Sequence, residues 1–309
     1  MIIIKKLIKI NVFVYLMNIK HIVISGGGPS FLQALSSIQY LNEKNIINFD
    51  KIKTIYGTSA GALLAAILCM KFDWETVNDY IIKRPWIDVF NIKAQHIFEA
   101  YNKRGLLDKS IIEKAFKPLL CAKDISMNIT LKEFYEYSKI ELHVFAFEIN
   151  NFDTEDISYL THPELSLLDA LLMSSSIPIL MTPTIIENKC YIDGGLCANY
   201  PLLYCIQTNK NLDEILGIRN QYDEDQENKV DSTSTLLDFI LCILFKIFNK
   251  FTNHPIPEIK YEVKCKVKKL NLNYLTSFLK SIELRQQYYH EGIHAAKLFI
   301  DTHNLQDCI

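Results

Sequence analysis

Apolar and polar positions alternate between two periods along this chain. Lys20 to Ser25 is a short β-branched run that ends at three glycines, so it predicts a buried strand. After Pro29 the apolar residues Leu32, Leu35, Ile38 and Leu41 recur at helical spacing. Lys51 to Tyr56 is a second β-rich run before a glycine, and SAGALLAAILCM after it predicts an all-apolar buried helix. Residues 75–135 read as mainly helical, punctuated by Pro85 and Pro118. Glu141 to Ile149 alternates like a strand, Ser166 to Ser175 reads as a helix stopped by Pro178, and Ile185 to Ile192 as a hairpin around Asn188 and Lys189. Strand and helix in this alternation predict an α/β fold with a mostly parallel central sheet.

The remainder divides more coarsely. Gln221 to Asp231 is polar and acidic and predicts an exposed loop. Residues 236–251 form a strongly apolar segment, and about 278–300 reads as one terminal helix. The first residues, 1–19, form an extension of unassigned role. Lys5, Lys6 and Lys9 break its apolar run, which is too short to span a bilayer and has no cleavage site. Three readings of it stand: a surface amphipathic segment, an ordinary extension, or an upstream start with Met17 as the true beginning.

Composition narrows the function. With 309 residues and 49% hydrophobic side chains, the chain has material for a large core. A formal net charge of -2 offers no basic field, so nucleic acid is not an expected partner. The 8 cysteines form no C-x-x-C pair and several sit in apolar runs, which predicts reduced thiols and an intracellular protein, cytoplasmic or peripheral to membranes.

Three glycine motifs carry the chemistry. Gly57-Thr58-Ser59-Ala60-Gly61 is a G-x-S-x-G between a predicted strand and a helix, the context of a nucleophile elbow. Gly57 and Gly61 admit the close backbone approaches of such a turn, and the helix after Ser59 points its positive end at charge formed during attack. Gly26-Gly27-Gly28, also at a strand end, offers backbone N–H groups for an oxyanion hole. A phosphate loop is the rival reading, but neither a Walker lysine nor a full G-x-G-x-x-G follows. Asp193-Gly194-Gly195 puts an acid at a strand terminus, where it is either a base for the serine or part of a plain hairpin turn.

Together these motifs resemble the patatin-like phospholipases. The resemblance rests on ISGGGPSF at 24–31, GTSAG at 57–61 and DGG at 193–195, and extends through GLLDKSIIEKAF at 105–116, SLLDALLMSSSIPILMTP at 166–183 and YIDGGLCANYP at 191–201. It implies a three-layer α/β/α domain whose catalytic core spans 20–205, with 206–309 its C-terminal part. It also implies a Ser–Asp dyad without histidine: Ser59 attacks a lipid ester, Asp193 takes the proton, and the amides of Gly26, Gly27 and Gly28 hold the oxyanion. Gly57, Gly61, Gly194 and Gly195 support the motifs. No metal or cofactor is implied, and the expected partner is a lipid or phospholipid at a membrane surface, with peripheral membrane contact. The family's glycine loop usually continues with a basic residue and another glycine, where this chain has Ser30 and Phe31. Phe31 therefore requires either an ordinary φ or local strain, and Pro29 brings no N–H.

Rival constellations remain. His290-Glu291-Gly292-Ile293-His294 matches the zinc-hydrolase pattern H-E-x-x-H but lacks an evident third ligand. A Ser–His–Asp esterase would draw its histidine from His254, His290, His294 or His303. The segment 236–251 reads equally as a core helix or lid and as a lipid-facing helix, with Lys246 and Lys250 reaching head groups. A catalytically silent lipid-binding or scaffold protein of the same fold is the non-enzymatic alternative.

Overall fold

The computed structural model describes residues 18–208, 211–222, 230–232, 234–252, 256–268, 271–303 and 305. The N-terminal extension up to Met17, most of the acidic segment after Tyr222, and His254 lie outside the described residues.

The strands in chain order are β1 (His21–Ile24), β2 (Thr54–Thr58), β3 (Gly105–Leu107), β4 (Glu141–Glu148), β5 (Asp153–Ile157), β6 (Ile179–Met181), β7 (Thr184–Ile186), β8 (Lys189–Asp193), β9 (Ile215–Tyr222) and β10 (Tyr261–Val267). The first helices are α1 (Phe31–Glu43), α2 (Ala60–Cys69), α3 (Trp74–Lys83), α4 (Trp86–Val89), α5 (Ala94–Lys103) and α6 (Ser110–Ala122). They are followed by α7 (Leu131–Ser138), α8 (Leu167–Ser175), α9 (Leu202–Thr208), α10 (Leu236–Thr252), α11 (Leu272–Lys280) and α12 (Ile282–Thr302). The main sheet runs β10-β9-β1-β2-β4-β8-β7 with β5 also on β4, and β10, β9, β1, β2 and β4 pair in parallel.

Alternation along the central strands builds two cores. Ile22, Ile24, Ile55, Val144, Ala146, Leu216 and Ile218 face the large core that the sheet shares with α1, α2, α8 and α12. Their neighbours Val23, Tyr56, Phe145 and Ile215 face a smaller cluster with Leu202 and Cys205 of α9. The sheet is thus covered by helices on both faces, the three-layer α/β/α arrangement that the family resemblance implies.

The edge of β4 decides where the site forms. β5 follows one edge of β4 over Val144–Glu148. The other edge is shared: β2 pairs in parallel as far as Thr58 opposite Phe145, and β8 continues antiparallel from Asp193 opposite Ala146. The C-terminal ends of β2 and β8 therefore meet head to head on adjacent β4 residues. Glu148 ties down the far end, accepting the amides of Asn150 (3.0 Å), Asn151 (2.6 Å) and Cys190 (2.9 Å).

On the same strand, His143 is buried between carboxylates. Its Nδ1 lies 2.8 Å from Asp156 Oδ1 and its Nε2 2.9 Å from Glu141 Oε1, while its ring stacks on Tyr56 with centroids 4.2 Å apart. Burial opposes the charge, but the two carboxylates prevail and raise the imidazole to about 9.

Four sequence expectations are corrected. Pro118 does not end a helix but lies inside α6. Its missing N–H frees the Lys114 carbonyl, which accepts instead from Arg84 Nη2 at 2.8 Å. The terminal helix is two helices, because Ser281 leaves the helical conformation (φ -100, ψ 120) and caps α12 through the Leu284 amide. Buried Arg285 then bonds the Phe278 carbonyl at the end of α11 (2.7 Å) and the Ile82 carbonyl near the end of α3 (2.8 Å). The hairpin turns at Glu187 and Asn188, since Lys189 already belongs to β8. The first two residues of the predicted acidic loop, Gln221 and Tyr222, finish β9.

Candidate active site

Ser59 stands between β2 and α2 in a conformation that side chains rarely adopt, φ 54 and ψ -127. The turn closes because its glycines admit backbone: a Cβ on Gly57 would lie 2.5 Å from the Gly61 carbonyl oxygen, and one on Gly61 2.7 Å from those of Ile24 and Ser25. Two residues of the MSSSIP segment hold the backbone of Ser59 and Asp193. Ser174 Oγ accepts the Ser59 amide at 2.8 Å and donates to the Phe145 carbonyl at 2.6 Å. The Ser176 carbonyl accepts the Asp193 amide at 3.0 Å.

Ser59 Oγ donates to Asp193 Oδ2 at 2.6 Å, and both residues are buried. The other carboxylate oxygen, Oδ1, accepts the Gly195 amide at 2.7 Å, while Gly194 packs on the Phe145 carbonyl. Asp193-Gly194 is not the turn of a hairpin: Asp193 ends β8 and caps the short 3-10 turn Gly194–Leu196. Burial raises the Asp193 carboxyl to about 6, and the bonds from Ser59 and Gly195 only moderate the rise. Such a group is ionised at neutral pH yet holds a proton far better than an ordinary carboxylate, which suits a general base.

The glycine loop follows β1 beside Ser59. Gly27 and Gly28 both have positive φ, 155 and 56, and no acceptor takes their N–H groups among the described residues. Gly26 departs from the expected trio: its N–H donates to the Asn199 carbonyl at 2.8 Å and is not free to bind an oxyanion. A Cβ on Gly26 would lie 2.9 Å from the Thr58 carbonyl oxygen, which shows how closely the loop passes the end of β2. Pro29 enters a 3-10 turn, where its fixed φ suits and its N–H is not needed. Phe31 adopts ordinary helical geometry, φ -55 and ψ -26, so the missing family glycine causes no strain.

The rival groups lie elsewhere. His290 and His294 are on α12, where Glu291 between them accepts from Gln33 (2.6 Å) and Gln287 (2.8 Å). Among the described residues no three His, Cys, Asp or Glu side chains are grouped to hold a metal ion. His303 is bound to the Phe299 and Lys260 carbonyls. The groups acting on Asp193 are Ser59 and Gly195, not a histidine. Among the described residues, Cys69, Cys121, Cys190, Cys197 and Cys265 are free thiols.

Sequence reading missed Ser174 and Asn199, which hold the backbone of Ser59 and Gly26. Ser174 and Asn199 lie within motifs that carried the resemblance, but their partners are reached only through the folded sheet.

α10 lies against this site. Its Leu244 and Phe245 pack on Leu196 and Phe147 beside the Asp193 turn. Leu236, Phe239, Ile243 and Ile247 form an exposed stripe. No helix among the described residues is long and apolar enough to cross a membrane.

Comparison with known proteins identifies the family. The chain is 27% identical over 237 residues to the probable lipid hydrolase 463L of Invertebrate iridescent virus 6, covering 71% of this chain and 80% of that one. It is 27% identical over 206 residues to the uncharacterized protein R571 of Acanthamoeba polyphaga mimivirus, covering 65% of each. Among solved structures it is similar to VipD from Legionella pneumophila, with TM-score 0.56 and 15% identity, over 93% of this chain and 67% of that one. The family model for patatin-like phospholipase matches residues 22–206, more than half of the sequence, and the chain belongs to that family.

Proposed function

We propose that this protein is a lipid acyl hydrolase of phospholipase A type, with Ser59 as nucleophile and Asp193 as general base. The observation that carries the reading is the 2.6 Å hydrogen bond from Ser59 Oγ to Asp193 Oδ2 at a strained strand-to-helix turn. Ser59 Oγ forms a bond to the ester carbonyl carbon while its proton passes to Asp193. The carbonyl oxygen becomes an oxyanion that faces the amides of Gly27 and Gly28 and the positive end of α2. Collapse breaks the bond to the leaving alcohol, which takes the proton from Asp193. Water then loses a proton to Asp193 and attacks the acyl-enzyme; collapse breaks the bond to Ser59 Oγ, which takes that proton back from Asp193, and the fatty acid is released.

The lipid approaches over α10. Its exposed apolar stripe has Lys246 and Lys250 exposed towards the C-terminal end, a pattern suited to an interface with anionic head groups. This favours a peripheral contact over a purely internal helix, and the inner side of α10 covers the Asp193 turn in either case.

Labelling by a fluorophosphonate tests the assignment. Wild type should label at Ser59, and Ser59→Ala should not. A folded wild type that takes no label would favour the silent lipid-binding alternative. Labelling that persists in Ser59→Ala would remove the nucleophile assignment.

A further inference from the structure

Gly27 and Gly28 pose a physical problem for the reading above. Two consecutive residues at positive φ in a glycine run have many alternatives, yet oxyanion donors work only when their direction is set beforehand. Something outside the loop must hold it.

We propose that Asn220 on β9 is the positioning residue that holds this loop. Its Nδ2 donates to the Gly26 carbonyl at 2.8 Å and to Ser30 Oγ at 2.8 Å. The Ser30 hydroxyl passes the restraint on by donating to the Gly27 carbonyl at 3.1 Å. One side-chain amide, with two hydrogens, thus spans the loop from its entry to its exit. The direction is fixed by chemistry: the Gly26 carbonyl only accepts, so the amide nitrogen must face it. The backbone of β9 adds to the hold, since the Asn220 amide donates to Ser25 Oγ (3.3 Å) and the Ile218 carbonyl accepts the Ser25 amide (3.1 Å).

Two features make this more than loop packing. Asn220 lies outside the residues 22–206 that match the family, so the brace comes from the C-terminal part of the chain. It also gives Ser30 a purpose. Where the family usually has a basic residue, this chain has a hydroxyl that accepts from Asn220 and donates to Gly27. Tyr222, two residues further along β9, adds a hydroxyl that a Cβ on Gly27 would approach to 3.4 Å.

The inference rests on the acyl-transfer reading, and the experiment separates the two. Wild type, Asn220→Ala, Asn220→Asp and Ser30→Ala are compared on the soluble ester p-nitrophenyl butyrate, with thermal melting as the check on folding. Asn220→Ala should lower kcat about 10- to 100-fold with KM within about twofold, because the lost term is felt in the transition state. Affinity for a trifluoromethyl ketone, whose serine adduct carries an oxyanion, should fall in step with kcat/KM. Asn220→Asp keeps the size but not the donors and should be no better than Asn220→Ala. Ser30→Ala keeps the contact to Gly26 and should lose about 3- to 10-fold. If Asn220→Ala fails to fold, Ser30→Ala decides by the same measure.

A folded Asn220→Ala with kcat within twofold of wild type would overturn the proposal, as would a loss confined to KM. Hydrogen exchange over residues 25–31 is the readout independent of catalysis, because the Ser25, Gly26 and Ser30 amides are bonded there. Faster exchange in Asn220→Ala supports the brace even if wild type proves unreactive to the fluorophosphonate, in which case only the acyl-transfer reading falls. Unchanged exchange in a protein that labels at Ser59 overturns the brace alone.

Discussion

Two buried ionisable groups meet β4 a few residues apart, and they are treated in opposite ways. His143 lies between Glu141 and Asp156, so its charge is matched and its proton held up to about 9. Asp193, opposite Ala146, receives one hydroxyl and one amide, and burial carries it up to about 6. The difference teaches where strain is placed. The imidazolium is an internal ion pair that favours the folded chain, whereas the carboxylate is a charge the fold holds at a cost, and the proposed role as general base would use that basicity.

The sharpest break is chemical. Ser59→Ala should reduce ester hydrolysis by at least about 10⁴-fold with melting nearly unchanged, as measured on a soluble ester. Asp193→Asn should lower kcat by about 10³-fold or more, yet raise stability at pH 8. A folded-state carboxyl raised from 3.8 to about 6 binds its proton more tightly than the unfolded chain does. Its contribution is therefore full below pH 3.8 and lost as pH rises through 6, up to about 3 kcal/mol. Urea melts should show the variant's gain appear between about pH 4 and 6 and level off above; a destabilised variant at pH 8 would break the comparison.

His143→Gln should do the reverse. The raised imidazole stabilises fully below pH 6.5 and loses that contribution as pH rises through about 9. The variant should be less stable by about 3 kcal/mol at pH 6 and near wild type at pH 10, with turnover per folded molecule unchanged. The pH profile sharpens the same contrast, since kcat/KM on a soluble ester should fall about tenfold per unit below pH 6 as Asp193 is protonated. The smallest effect belongs to the interface. Phe239→Ser with Ile243→Ser should cut hydrolysis of anionic vesicles severalfold and leave the soluble ester untouched.

The sequence made legible those parts whose cause is local. The elbow shows because backbone at Gly57 and Gly61 comes too close for a side chain, and β4 and α8 show their periods directly. Gly26 was not separable from Gly27 and Gly28 as a candidate donor, because the Asn199 carbonyl that takes its N–H comes from a segment after β8, remote in the chain. Asn220 left no signal either, lying inside β9 just before the polar stretch from Gln221 that reads as a loop, in a strand the sequence pattern does not announce. The break at Ser281 was hidden because the apolar spacing of α11 runs on into α12, and only the cap and buried Arg285 reveal it. β10 alternates in the sequence, as Tyr261, Val263, Cys265 and Val267 are buried, yet its place depends on pairing with β9.

The shared edge of β4 also sets a timetable. Ser59 and Asp193 are 134 residues apart in the chain, and their distance is set by two strands docking on one neighbour. A ribosome adding about 5–20 residues per second makes the serine roughly 7–27 s before the aspartate exists. During that interval the emerging chain carries a serine without its base. On the proposed mechanism, hydrolytic power would arrive only once β8 has closed onto β4, and the order of synthesis would shield a cell making this protein from it.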